Sequence, residues 1–163
     1  MITIRAIRDD EIAALAAITV AAYRTLAVDV GDYLITLADV ADRVRHARVI
    51  VAVDGDRVLG GVTYVPEPTS AYAEFTDADG AGIRMLAVDP AARGRGVGEA
   101  LISACVAMAR ADGRRRVVLH TTEAMEAAQR LYARAGFERA GARDWSPQPN
   151  ITLLGFELPL GDA

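Results

Sequence analysis

The sequence predicts one α/β domain spanning residues 1–163, and three patterns support this prediction. Apolar residues recur at helical spacing near the N-terminus, two apolar runs flank an Asp54-Gly55-Asp56 turn, and the second half alternates between strand and helix patterns. A length of 163 residues lies within the usual range for one domain. Because no repeat, linker or low-complexity tract interrupts these patterns, we expect a single folding unit without structural metal.

Composition excludes several classes of protein. The chain is 52% hydrophobic and 25% charged, which is typical of an ordered domain and not of a disordered one. A net charge of −4 disfavours nucleic-acid binding, and no apolar run reaches the length of a membrane span. The first residues lack the apolar stretch of a signal peptide, and the lone Cys105 cannot form an internal disulfide. We therefore expect a cytoplasmic protein with neither a membrane nor a nucleic-acid partner.

The N-terminal half predicts helices that precede a hairpin. Ile2 and Ile4 alternate with polar residues as in a short strand, and Asp9 and Asp10 precede an apolar helical face. The predicted elements that follow are a helix over residues 32–45, strands over 49–53 and 57–65, and a polar loop over 66–82.

The C-terminal half predicts a βαβ unit, whose two strands pair in parallel. Its elements are a strand over residues 83–88, a helix over 96–111, a strand over 116–121 and a helix over 123–135. Two further strands are predicted near 137–143 and 151–158, joined by a loop over 144–149. The whole pattern predicts one α/β domain, with helices flanking its sheet.

A glycine-rich loop joins the first strand of this unit to its helix. Such a loop directs several backbone N–H groups to one place, and the helix start adds partial positive charge there. Full charges on Arg93 and Arg95 lie beside Gly94, Gly96 and Gly98. The pattern favours the binding of a phosphate or pyrophosphate, in place of a simple tight turn.

Two common phosphate-binding motifs do not fit this loop. A P-loop needs Gly-Lys-Ser/Thr, and the chain has no lysine. A dinucleotide fingerprint needs G-x-G-x-x-G and an acid about 20 residues later. The loop has G-x-G-x-G, and the later position holds Arg114, Arg115 and Arg116.

Two spaced signatures resemble a known family. Arg93-x-x-Gly96-x-Gly98 is similar to the (Gln/Arg)-x-x-Gly-x-(Gly/Ala) signature of the GNAT N-acetyltransferases, and it follows the sequence Leu-Ala-Val-Asp-Pro. Further along, Ala128-x-x-Leu131-Tyr132-x-x-x-Gly-Phe resembles the family's second hallmark. The order of predicted elements is similar over nearly the whole chain.

The resemblance implies a mixed sheet with splayed central parallel strands and acetyl-CoA bound between them. It implies that backbone groups of Leu86, Ala87 and Val88 pair with the pantetheine arm, and that the Val88 amide polarises the thioester carbonyl. The pyrophosphate would contact the amides of Arg93, Gly94, Arg95, Gly96, Val97, Gly98 and Glu99.

The resemblance also implies a general acid. Tyr132 matches the position that protonates the departing thiolate, and a phenol suits this leaving group. Alternatively, Tyr132 is a core aromatic residue without a catalytic role. Many members carry Asn where this chain has Met125, so only the backbone of Met125 remains to contact the cofactor.

The base that deprotonates the acceptor is less clearly marked. Family members often place Glu on the strand that here contains Arg84. Glu74 and His120 are the candidate bases, with Asp77 and Asp79 as substitutes. Alternatively, the three acids belong to a solvated loop and His120 is a packed or surface residue. Cys105 lies among apolar helical residues, so direct attack in a ternary complex is expected and a ping-pong route is not.

The expected activity is acetyl transfer to an amine, either a small molecule or a peptide. An aromatic, partly acidic acceptor cleft would suit a small amine or a cationic side chain. Acylation from another acyl-CoA and non-catalytic CoA sensing remain alternatives, and homodimers occur in the family. The residues expected to wall the cleft are Tyr23, Tyr33, Tyr64, Tyr72, Phe75 and Trp145.

Overall fold

The computed structural model describes residues 1–24 and 32–161. The strands are β1 (Thr3–Ala6), β2 (Arg48–Asp54), β3 (Arg57–Val65), β4 (Gly80–Val88), β5 (Arg116–Thr122), β6 (Glu138–Arg139), β7 (Trp145–Gln148) and β8 (Ile151–Pro159). The helices are α1 (Ile12–Arg24), α2 (Tyr33–Ala38), α3 (Val40–His46), α4 (Val97–Ala111) and α5 (Glu126–Arg134).

The strands form one mixed sheet, which confirms the predicted α/β class. In the described part of the chain its order is β1-β2-β3-β4-β5-β8-β6, and β7 adds to β8. The pair β4–β5 is parallel, and the pairs on either side of it are antiparallel. The predicted βαβ unit therefore occupies the centre of the sheet.

Helices cover the two faces of this sheet. The face under α4 and α5 buries a cluster that includes Leu101, Cys105 and Tyr132. On the opposite face, Leu15 and Val40 pack on β2, and Leu37 packs near the Tyr72–Phe75 segment. Burial of these apolar surfaces supplies the main stabilising free energy and holds the central strands between two layers.

The two central strands separate halfway along their length. Parallel pairing runs from Gly80 with Arg116 to Ile83 with Leu119 and then ends, although both strands continue. Met85 adopts a left-handed backbone conformation with φ of 56°, and the β3–β4 register shifts around it. A bulge of this kind bends a strand away from its neighbour, so the expected splay is confirmed.

The helix predicted over residues 32–45 is wrong, because two helices occupy this region. Asp39 leaves the helical conformation, and its side chain accepts a hydrogen bond from the Asp42 amide at the start of α3. The buried Arg43 donates to the carbonyl oxygens of Thr36 and Leu37 at the end of α2. These hydrogen bonds satisfy backbone amide and carbonyl groups that lose their helical partners at the break. The break at Asp39 is therefore stable, although the apolar spacing continues across it.

The end of the chain also departs from the prediction. The strand predicted near 137–143 is the short β6 followed by a turn over Gly141–Arg143, and the predicted loop over 144–149 contains β7. Gly155 of β8 lets this turn lie close to the sheet. A Cβ at Gly155 would be only 2.5 Å from the Arg143 Cβ. Several other boundaries move by one to three residues, and among them β4 begins at Gly80, α4 at Val97 and α5 at Glu126.

An ion pair attaches the start of α1 to the first strand. Arg5 on β1 contacts both carboxylate oxygens of Glu11 at 2.9 and 2.6 Å, and the Arg8 amide donates to Glu11 at 2.9 Å. The Arg5 hydrogen bond is the main cause that lowers the Glu11 pKa to about 2. No helix in the described ranges is long and apolar enough to cross a membrane.

Replacing Glu11 with Gln tests this attachment. The folded pKa of Glu11, about 2, lies below the reference value of 4.5. The pair therefore stabilises the fold above pH 4.5, and this contribution disappears as pH falls toward 2. We expect Glu11→Gln to lower the free energy of unfolding by about 2 kcal/mol at neutral pH and by almost nothing near pH 2.

Urea unfolding at both pH values measures this difference. The control Asp10→Asn removes an exposed acid from the same turn and should change stability by less than about 0.5 kcal/mol. An equal loss for Glu11→Gln at both pH values would contradict the assigned role of its charge.

Candidate active site

A cavity of about 280 Å³ opens where β4 and β5 separate. Residues 83–86 of β4 and residues 120–122 of β5 form its opposing sides. Tyr132 and Met125 close one side, and residues of α1, α2, β7 and β8 complete the wall. The cavity therefore reaches both faces of the sheet through the gap.

The far half of β4 presents an open backbone edge to this gap. The Asp89 amide donates to the Leu59 carbonyl of β3 at 2.8 Å. Because successive amides of a strand point to alternate edges, Val88 and Leu86 face away from β3, toward the separated β5. Ala87 pairs with Gly61 of β3, so its backbone faces the other edge. Leu86 and Val88 can thus pair with an extended ligand.

The glycine loop leads from this edge into α4. Gly94 and Gly96 have φ values of 79° and 76°, a region that favours glycine, and a Cβ on either would meet open space. The amides of Val97, Gly98 and Glu99 lie in the first turn of α4, where helical N–H groups lack helical partners. This arrangement can bind an anion at the helix start.

The two arginines of the loop differ in their contacts. Arg95 is ion-paired with Asp54 at 2.9 Å on the exposed surface. Arg93 is exposed, and its guanidinium forms no hydrogen bond or ion pair with another described residue, while its backbone amide donates to the Pro90 carbonyl at 3.5 Å. Arg93 is therefore the cation that is free to contact an anion bound at the loop.

Gly98 has a packing role that the loop pattern does not reveal. It lies inside α4, and a Cβ there would be 3.0 Å from Leu131 Cδ2 of α5. The absent side chain lets α4 approach α5 closely. The two sequence signatures therefore meet in space at this contact.

Tyr132 lies under the gap in an apolar environment. It is 6% exposed, and its ring centroid is 6.1 Å from the ring centroids of Phe137 and Phe156. Its hydroxyl has no hydrogen-bond partner among the described residues, and it lines the cavity. Burial raises the pKa of Tyr132, so the hydroxyl is protonated at neutral pH and is a weaker acid than a phenol in water.

Met125 joins the end of β5 to the start of α5. Its sulfur accepts a hydrogen bond from the buried Thr121 hydroxyl at 3.2 Å. Its side chain lines the cavity as an apolar surface. Met125 therefore lies beside the gap.

His120 is oriented by a carbonyl group. Its Nε2 is 2.9 Å from the Arg143 carbonyl oxygen. Because a carbonyl only accepts, Nε2 carries the hydrogen, and Nδ1 of the neutral ring keeps a lone pair. Asp77 holds the Arg143 guanidinium through two contacts of 2.8 and 3.0 Å, which fixes the turn that carries this carbonyl.

The acidic candidates separate into two groups. Glu74 lines the cavity, where its carboxylate is 2.9 Å from the Arg84 Nε. Asp77 pairs with Arg143, and Asp79 pairs with Arg116, outside the cavity. The Arg143 contact lowers the pKa of Asp77, so Asp77 is a poor proton acceptor. Glu74 is the acidic residue of the described cavity wall, and Arg84 balances its charge.

Three of the six expected aromatic residues line the cavity. Tyr23, Tyr33 and Trp145 belong to its wall. Tyr64 does not, because it is fully buried and its hydroxyl donates to Asp112 at 2.8 Å. Tyr72 and Phe75 pack behind Arg84 in a separate apolar cluster and do not reach the main cavity.

Cys105 lies in the core, as the sequence predicts. It is fully buried in α4, and burial raises its pKa to about 12. A thiol in this state is a poor nucleophile. Within the described ranges, no group of three or more His, Cys, Asp or Glu residues could hold a metal ion.

The sequence signatures missed several residues of the cavity wall. The sequence identified Arg84 only as the residue that replaces a glutamate of the family. It did not assign Pro147, Gln148, Ile151 and Leu153 to the site. Ile151 and Leu153 lie two residues apart on β8, so alternation along that strand was an available signal.

Comparison with known sequences places the chain among acetyltransferases. Residues 12–137 match the acetyltransferase (GNAT) family. A mycothiol acetyltransferase of Geodermatophilus obscurus is 39% identical over 94 residues, which cover 57% of this chain and 29% of that protein. The chain therefore matches less than a third of the length of this curated relative.

Solved structures share the fold over nearly the full chain. A GCN5-related N-acetyltransferase from Kribbella flavida is 26% identical with a TM-score of 0.70, and the match covers 98% of both chains. The protein yncA from Salmonella typhimurium, solved with its cofactor acetyl-CoA, is 21% identical with a TM-score of 0.76. That match covers 100% of this chain and 96% of the other, and it shows a common fold.

Proposed function

Because the chain belongs to the acetyltransferase (GNAT) family, we propose that it transfers the acetyl group of acetyl-CoA to an amine. One observation carries this proposal. The open edge of β4, the glycine loop and Tyr132 border the same gap in the sheet. We further propose that the amine attacks directly, since the described residues offer no exposed thiol for a covalent acyl intermediate.

The residues present fit the two halves of acetyl-CoA. Leu86 and Val88 offer unpaired backbone groups, which can extend the sheet onto a pantetheine arm as in strand addition. The first amides of α4 and the free guanidinium of Arg93 suit a pyrophosphate. Ala87 is buried and its backbone faces β3, so Ala87 does not contact the cofactor in this proposal.

Acetyl-CoA supplies an acetyl group that its thioester activates. The Val88 amide, aimed into the gap, donates to the carbonyl oxygen as negative charge develops there. Its position on a strand held by β3 means that little reorganisation is needed during the reaction.

Tyr132 acts as the general acid. As the new C–N bond forms and the C–S bond breaks, the electron pair moves to sulfur, and the Tyr132 hydroxyl donates its proton there. The apolar surroundings keep this proton on the phenol until the sulfur becomes basic. The phenol regains a proton from solvent or from the newly acylated nitrogen.

His120 is the better candidate for the general base. Its Nδ1 lone pair is available because Nε2 donates to the Arg143 carbonyl, and the ring borders the cavity. Glu74, the other candidate, is engaged with Arg84. His120 therefore removes the proton that an acceptor ammonium must lose before attack.

The loop assignment is tested by Gly96→Ala with Gly113→Ala as a matched control. Both glycines have positive φ and open space at Cβ, so each alanine should destabilise the fold by about 1 kcal/mol. Gly113 follows the C-terminal end of α4, at the opposite end of this helix from the loop. Calorimetric titration with acetyl-CoA should show about tenfold or more weaker binding for Gly96→Ala alone.

Equal affinity in the two glycine variants would contradict the assignment of the loop to the pyrophosphate. Loss of binding in both would show that destabilisation, and not the site, causes the effect.

Tyr132→Phe tests the general acid. Its hydroxyl lacks a partner within the described structure, so we expect little loss of stability and unchanged acetyl-CoA affinity. Without the proton donor, kcat should fall by about 100-fold or more. Tyr64→Phe is the opposite control, because it removes a hydrogen bond to Asp112 and should change stability but not kcat.

Steady-state rates of thiol release, with thermal melting of each variant, measure this difference. A Tyr132→Phe enzyme with wild-type kcat would eliminate Tyr132 as the proton donor.

His120→Ala tests the general base. We expect kcat/KM to fall by about 100-fold at neutral pH and to recover in part with added imidazole, since a small base can enter the vacated space. His46→Ala is the control, because His46 lies on the surface of α3 beside Asp42. A purely structural role would lower stability without imidazole rescue and would overturn this assignment.

A further inference from the structure

An ion pair lies inside the otherwise mostly apolar cavity. The Arg84 Nε is 2.9 Å from a Glu74 carboxylate oxygen, and the two side chains are only 19% and 18% exposed. The Arg84 Nη1 donates to the Tyr72 carbonyl at 3.2 Å, and Nη2 donates to the Tyr33 hydroxyl at 3.1 Å. Contacts from α2 and from the loop before β4 therefore fix the position of the guanidinium.

Arg84 lies beside the proposed base. Arg84 and His120 directly follow Ile83 and Leu119, the last paired residues of the two strands. Ile83 and Leu119 point to the face under α4 and α5, so alternation along each strand directs Arg84 and His120 to the face under α1 and α2. The ion pair and the imidazole therefore lie on the acceptor side of the gap, opposite the helices that carry Tyr132 and the glycine loop.

The guanidinium keeps hydrogen-bonding capacity for a ligand. Each Nη nitrogen carries two hydrogens, and the contacts above use one on each. Burial of an ion pair costs desolvation free energy, which extra hydrogen bonds to the charged groups must offset. The unused N–H groups, held together in a plane, suit a carboxylate.

Charge balance then selects the class of acceptor. Glu74 and Arg84 together carry no net charge, and Arg84 is the permanently charged cation among the described residues of the cavity wall. A simple amine or polyamine would add positive charge beside this guanidinium. A zwitterion adds none, because its carboxylate meets Arg84 while its ammonium meets Glu74 and His120.

We propose that the acceptor is a free α-amino acid with an apolar side chain, bound through its carboxylate by Arg84. This inference rests on the acetyltransferase function proposed above. The α-ammonium and α-carboxylate of an amino acid lie close together, as do the charges of Glu74 and Arg84. Aromatic and aliphatic residues of the wall, Tyr23, Trp145, Ile151 and Leu153, receive the side chain.

The size of the cavity agrees with a small acceptor. Its volume of about 280 Å³ lies just below the usual range for ligand pockets, roughly 300–1,000 Å³. This volume favours a small acceptor such as a free amino acid.

The reaction balances with the groups already named. The ammonium passes one proton to His120, and the nitrogen then forms a bond to the acetyl carbon as the C–S bond breaks. The sulfur leaves with the electron pair and takes a proton from Tyr132. The nitrogen loses its second proton, so the products are an N-acetylamino acid, CoA thiol and one released proton.

Matched acceptors test the carboxylate directly in the wild-type protein. Rates of CoA release are compared for phenylalanine, phenylalanine methyl ester and phenethylamine, and for the corresponding leucine series. The ester has the more acidic ammonium, so amine reactivity alone favours it over the free amino acid. We expect kcat/KM for the free amino acid to exceed that of both analogues by about 100-fold.

Arg84→Met tests whether Arg84 causes the preference for an acceptor with a carboxylate. We expect the ratio of kcat/KM for phenylalanine over phenethylamine to fall by about 100-fold in this variant. Tyr33→Phe is a second variant in case Arg84→Met fails to fold, because it keeps the guanidinium and removes one hydrogen bond to it. It should lower the same ratio by about fivefold.

The outcomes separate the two proposals. Acetylation of phenethylamine as fast as phenylalanine would overturn the amino-acid assignment while leaving an acetyltransferase. A carboxylate preference that survives in Arg84→Met would overturn the role of Arg84. Absence of acetyl-CoA binding and of any thiol release would instead overturn the proposed function, and the amino-acid assignment with it.

Discussion

The separation of two parallel strands is the constraint on which the rest of the site depends. Hydrogen bonds between β4 and β5 end after Ile83 and Leu119, where the left-handed Met85 turns β4 away. A non-glycine residue with this conformation costs about 1–2 kcal/mol, so the surrounding packing must maintain it. Met85 is buried among residues of the face under α1 and α2, which supplies that packing.

The gap lets groups from both faces of the sheet act on one bond. Tyr132 approaches from the face under α4 and α5, and His120 and Arg84 approach from the opposite face. The same separation leaves the backbone of Val88 open between them. Proton donor, proton acceptor and carbonyl-polarising amide thus belong to three elements that a continuous sheet would keep apart.

The sequence predicted the parts of the site that depend on local pattern. The glycine loop and Tyr132 belong to motifs with fixed spacing, and the βαβ unit follows from strand and helix periodicity. The break at Asp39 was missed because apolar spacing continues across it. Strand β7 was missed because Pro147 disfavours most strands but is tolerated in an edge strand, which β7 is. The environment of Arg84 was not predictable, because Tyr33, Tyr72 and Glu74 reach it from distant segments.

Amide hydrogen exchange along β4, with and without acetyl-CoA, tests the central claim most directly. In the free protein, the Leu86 and Val88 amides should exchange quickly at the open edge, while Ala87 is already protected by β3. Acetyl-CoA at saturating concentration should then protect Leu86 and Val88, with little change at Ala87. Exchange at Leu86 and Val88 that stays fast in the presence of acetyl-CoA would contradict strand addition to β4 as the basis of cofactor binding.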